Sequence, residues 1–172
     1  MMLKGEDIVV LLKLTGDSSD WTVRSLEAEI GIPRSVIQRS LVRLERAGLL
    51  EEGRRRVNKG RAEELLVHGV KYVFPPVSGG ETRGVPTAWA APPLQEKLAD
   101  SGELPPVWPD PLGTVRGIVL EPLHDSVPEI SRHDRALTEL LVLIDGIRLG
   151  DARVRGVAEE LLRERLSFAT VP

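Results

Sequence analysis

"IGIPRSVIQRSLVRLERAGLLEEGRRRV", residues 30–57, decides how this chain folds. Gly31 and Pro33 make a tight connection, because glycine accepts a left-handed backbone and proline fits the first turn of a helix, where its missing N–H is not needed. The apolar spacing that follows predicts a helix over residues 33–47, closed by Gly48. On that helix Val36, Ile37, Ser40, Leu41 and Leu44 share one sector. Ser35, Gln38, Arg39, Val42 and Arg46 lie opposite, with Arg34 and Arg43 on the flanks. "LLEEGRRRV" then reads as two short strands about Gly53, a small hairpin with Arg54, Arg55 and Arg56 at or near its tip.

The same stretch concentrates positive charge in a chain whose formal net charge is -3. Residues 33–61 hold nine Lys/Arg against three Asp/Glu, while the segments before and after are both net acidic. Localised basic charge is the footprint expected of a surface that meets a polyanion.

Working outward, residues 6–14 carry a helical apolar pattern that stops at "TGDSSD". A second short helix follows in "TVRSLEAEIG", with Thr22 as N-cap, Val23, Leu26 and Ile30 as its buried stripe and Gly31 as its end. A fourth helix is expected over residues 59–68. Residues 70–113 hold most of the 13 prolines, a density that disfavours long helices and central strands. Tyr72, Phe74, Trp89 and Trp108 argue against a plain linker, so this segment reads as extended and partly ordered, lying along another surface. Residues 114–172 read as one strand in "TVRGIVLEPL" and a helical hairpin parted at "LGD". The broad stripe from Leu137 to Ile147 suits either an ordinary core or a subunit interface. The expected fold class is mainly α with a small β-hairpin, in three regions: 1–69, 70–113 and 114–172.

The order helix, helix, tight turn, basic helix, arginine-tipped hairpin resembles the winged helix-turn-helix domain of bacterial transcription regulators. "TVRSLEAEIGIPRSVIQRSLVRLERAGLLEEGRRR" is similar to the MarR-like regulators in particular, over about residues 6–68. The resemblance implies a recognition helix in the major groove of double-stranded DNA and a wing on backbone or minor groove. Carried onto this chain, Ser35, Gln38, Arg39 and Val42 would face bases, while Arg34, Arg43, Arg46, Arg54, Arg55, Arg56 and Lys59 would meet phosphates. It also implies a homodimer, and a repressor reading an inverted repeat. Glu45, Glu51 and Glu52 depart from such a surface, since they repel DNA unless turned away or paired. A rival reading gives the same face to a protein partner, as in an antitoxin or adaptor.

Other chemistry finds little support. Cysteine is absent, which removes disulfides and thiolate chemistry and fits a reducing, cytoplasmic setting. No leader pattern and no membrane span are read. "GGETRGV", residues 79–85, lacks the Lys and Ser/Thr of a phosphate-binding loop and reads as a loop turn. His68, His124 and His133 show no metal-ligand spacing, and Asp134 beside His133 reads as a helix start. The expectation is a protein without catalytic residues, metal or cofactor.

Overall fold

The computed structural model describes residues 2–16, 20–53 and 56–168. Helices dominate, and a three-stranded sheet makes the fold mixed α/β. α1 (Gly5–Gly16), α2 (Val23–Ile30) and α3 (Arg34–Arg46) open the chain. Thr22 caps α2 through a reciprocal pair: its hydroxyl accepts from Ser25 N–H at 3.0 Å, and its own N–H donates to Ser25 Oγ at 2.9 Å. Gly31 ends α2 with φ 69°, and Gly48 follows α3 with φ 77°, so both expected glycine stops are present.

Beyond α3, among the described residues, the expected hairpin shows one antiparallel bridge between Leu50 and Val57, supported by Glu51 N–H donating to Arg56 O at 2.8 Å. Asn58 then caps α4 (Lys59–Glu64) by accepting from Arg61 N–H at 3.1 Å. α4 runs without a break through a π-helical turn (Leu65–Gly69) into α5 (Val70–Val73). The helix therefore passes the expected end at His68, because Val70 is buried together with Leu66 and Val67 and holds the next turn against the core.

The proline-rich segment is more structured than its composition suggests. It contributes β1 (Ser78–Pro86) and β2 (Pro106–Pro109), which join β3 (Val115–Leu120), the strand expected from the sequence. β1 is antiparallel to both others, while β2 and β3 are parallel, so the sheet closes on itself. Pro86, Pro106 and Pro109 sit at strand ends, which is how short strands tolerate them. Closure brings backbones together: a Cβ at Gly84 would run into the Trp108 carbonyl, and one at Gly117 into that of Pro105. Residues 79–85, expected as a loop turn, lie instead within strand β1, where Glu81, Thr82 and Arg83 pair with Ile118, Gly117 and Arg116 of β3 and Gly84 admits the close approach of β2.

α6 (Val127–Ile130), α7 (Arg135–Leu149) and α8 (Ala152–Phe168) complete the chain. Asp134 caps α7, its carboxylate accepting from Leu137 N–H at 3.0 Å, as its sequence position indicates. α7 is the central post of the molecule: α1, α5, α6, α8 and the 3₁₀ turn Ala88–Ala90 all pack on it. Leu137, Leu140, Leu141, Val142, Leu143, Ile144 and Ile147 are buried within this one chain. Of the two readings of that stripe, core is the one realised, so it is not available as a subunit interface. A single hydrophobic cluster runs from Ile8 to Leu166.

Candidate nucleic-acid interface

α3 is seated by its buried face, where Ile37 and Leu44 are wholly enclosed and Leu41 nearly so. The opposite side presents Ser35, Gln38, Arg39 and Arg46 to solvent, with Val42 half-buried between them. The proline-rich segment does not cover this face. Arg34 is exposed at the start of α3 and pairs with Glu27, Nε to Oε2 at 2.9 Å. Glu27 Oε1 also accepts from Arg34 N–H at 3.2 Å, so a carboxylate of α2 satisfies an open donor at the positive end of α3.

Past α3, Arg56 is exposed and Lys59 half-buried. Arg54 and Arg55 lie outside the described residues. Glu51 and Glu52 are exposed at the turn, and Glu45 is half-buried on α3.

Arg43 corrects the expectation that placed it on phosphate. Its side chain is almost completely buried, donating from Nε to Asp7 Oδ2 at 2.8 Å and from Nη2 to Asp7 Oδ1 at 2.8 Å. Glu6 adds a longer contact at 3.4 Å, and Ser40 Oγ donates to the same Asp7 carboxylate. The hydrogen bond to Asp7 and its charge raise the Arg43 pKa above its ordinary value, against the pull of burial. Arg43 therefore fastens α3 to α1. On the helical wheel it was a flank; α1 supplies the buried carboxylate that draws it inward.

Two further features were missed. Arg61 is exposed at the first turns of α4 and donates from Nη1 to Gly48 O at 3.3 Å, which adds a cation where the chain leaves α3. Its position as the last cation of the basic segment, residues 33–61, was the available signal. The second is a buried polar cluster: Asp145 accepts from Thr87 Oγ1 at 2.7 Å, Trp108 Nε1 at 2.7 Å and Arg148 Nη1 at 2.8 Å. Arg148 Nε in turn donates to Phe74 O at 2.7 Å. Burial pushes the Asp145 carboxyl up, while Arg148, Thr87 and Trp108 pull it back. A lone aspartate inside "LLVLIDGI" was its sequence signal.

The α2–α3 pair is also tied to the rest of the chain. Lys13 Nζ lies 2.9 Å from Asp134 Oδ2 and 3.0 Å from Glu29 Oε2, and His133 Nε2 is 2.7 Å from Glu29 O. The start of α7 thus holds the last turn of α2, next to the connection that aims α3.

No protein-family model, no curated protein and no solved structure matches the chain. Among the described residues no helix is long and apolar enough to cross a membrane, and no group of His, Asp and Glu is arranged to hold a metal ion.

Proposed function

We propose that the protein is a sequence-specific DNA-binding transcription regulator of winged helix-turn-helix type, with α3 as its recognition helix and residues 52–57 as a short wing. The observation that carries this reading is the outer face of α3. Ser35, Gln38 and Arg39 are exposed side by side on a helix whose inner face is locked in the core. Arginine donates to guanine O6 and N7, glutamine pairs with adenine, serine reads several edges, and the methyls of Val42 suit thymine. Arg34, Arg46, Arg56 and Lys59, together with Arg54 and Arg55, serve the phosphates, and Arg43 is withdrawn from that role.

Two copies acting as a repressor would address half-sites about 34 Å apart on an inverted repeat. The contact between copies uses a surface other than the α7 stripe. Selection of bound duplexes from a random pool tests the reading: an enriched inverted repeat is expected, and a pool that stays random argues against it. With the selected site in hand, Arg39→Ala relaxes preference at one base pair, whereas Arg56→Ala weakens all sequences and lowers the salt dependence.

One observation favours a second reading. Glu51 and Glu52 are exposed beside the basic helix, and two carboxylates there cost affinity for phosphate but suit a protein surface of mixed charge. In that case a co-purifying protein survives nuclease treatment while duplex DNA binds feebly at moderate salt.

A further inference from the structure

Trp89 is set apart from the other two tryptophans. Trp21 and Trp108 are buried, whereas Trp89 is half-buried and lines a cleft of about 360 Å³ between the proline-rich segment and the start of β3. The core holds the turn that presents it. Ala88, the residue before, is wholly buried with φ 54°, a left-handed conformation unfavourable to a residue with a side chain. Next to it Thr87 donates to the Asp145 carboxylate at 2.7 Å, so the strained turn is fixed from inside and Trp89 is left facing the cleft.

The remaining wall is largely aliphatic, with Leu98, Pro105 and Val115 all half-buried. Asp100 and Glu103 complete it, and both are exposed. No lysine or arginine lines the cleft, and among the described residues neither carboxylate forms an ion pair. Asp100 Oδ1 accepts from Gly102 N–H at 3.0 Å, which fixes the loop and leaves Oδ2 open. Two uncompensated negative charges therefore stand beside an indole. A second cleft of about 350 Å³ shares Trp89, Asp100 and Glu103, and there Asp151 and Arg153 offset each other, so the excess is unchanged.

This combination selects its ligand. An indole ring attracts a cation, most of all one that is weakly hydrated, and carbon walls favour a charge carried on alkyl groups. Among the described residues no group of side chains is arranged to hold a metal ion, which leaves the organic cation as the better match. We propose that this cleft binds a small alkylated ammonium, its charge against Trp89, Asp100 and Glu103 and its alkyl groups on the aliphatic wall. All of these residues lie outside the stretch that resembles DNA-binding regulators, and occupancy is read without DNA, so the proposal stands or falls apart from that reading.

The probe is choline, titrated into the isotope-labelled full chain in excess sodium chloride, with its uncharged isostere dimethylbutanol alongside. The indole N–H signals of the three tryptophans are followed by NMR. Choline is expected to move the Trp89 signal alone, saturably, and to bind at least about tenfold tighter than dimethylbutanol. Trp89→Leu assigns that signal and weakens choline at least about tenfold, as read on the backbone amides of Ala99 and Asp100. Asp100→Asn combined with Glu103→Gln, both at exposed positions, weakens choline about tenfold and leaves dimethylbutanol unchanged. This double variant keeps the proposal open to refutation should Trp89→Leu fail to fold. Choline that fails to saturate, that binds no better than dimethylbutanol, or that binds the double variant as tightly as the parent chain overturns the proposal.

Discussion

The guanidinium of Arg43 and the carboxylate of Asp7 meet at 2.8 Å, thirty-six positions apart in the chain, and both are shut away from solvent. A buried pair of this kind adds little over a well-packed apolar pair, yet removing one partner strands a charge. Asp7→Ala and Arg43→Ala are each expected to cost about 3 to 5 kcal/mol. The double variant should cost less than their sum, because no orphaned charge remains. Urea denaturation of the three variants measures this. An Arg43→Ala protein of undiminished stability would contradict the fastening role.

The turn between α2 and α3 rests on one backbone step. Gly31 has φ 69°, and a Cβ there would meet open space, so substitution tests conformation alone. Gly31→Ala is expected to lose about 1 to 2 kcal/mol, the ordinary penalty of a left-handed residue with a side chain. Gly31→Asn should lose less, since asparagine visits that region more readily. Denaturation midpoints that rank alanine level with asparagine would speak against this account.

The Asp145 cluster joins three parts of the chain: Thr87 after β1, Trp108 in β2 and Arg148 of α7. Trp108→Phe keeps a ring in the core but deletes the indole donor, at an expected cost of about 1 to 3 kcal/mol. Arg148→Met should cost more, because it leaves a buried carboxylate without its countercharge. Thermal melts of both variants, followed by near-ultraviolet circular dichroism, provide the comparison. Equal losses would show that the charge does not matter.

Acid stability is expected to carry the mark of Asp110. The backbone N–H of Leu112 donates to it at 3.0 Å and Arg132 donates to its other oxygen. These bonds hold its carboxyl below the ordinary value of 3.8. A folded-state pKa below the unfolded one means that the contribution is full above pH 3.8 and fades as pH drops through the folded value. Arg132→Gln should raise the Asp110 pKa only part of the way, because the larger Leu112 hydrogen bond stays. A carboxyl-detected NMR titration follows it, and an unmoved curve in the variant would refute the assignment.

Local chemistry was legible from residues alone wherever neighbours in sequence were also neighbours in space. Thr22, Gly31, Gly48 and Asp134 each cap or stop a helix by contacts within a few residues, and the exposed set Ser35, Gln38 and Arg39 follows from helical period. The side of α3 on which Arg43 falls was not legible. Its partner comes from α1, and a wheel drawn for one helix contains no information about a carboxylate brought by another.

The same limit applies to the proline-rich segment. Proline density misjudged this segment: β1 runs nine residues and pairs on both sides, because the prolines fall at strand ends, and that pairing depends on β3 and on the seat that Asp145 offers to Trp108. The α7 stripe could have faced a second copy or its own chain, since burial is a property of what arrives to cover a surface. Period and capping belong to a few covalently linked residues, so they are written in order along the polypeptide. Ion pairing, sheet closure and clefts arise between segments far apart in that order, and only their assembly in three dimensions settled them.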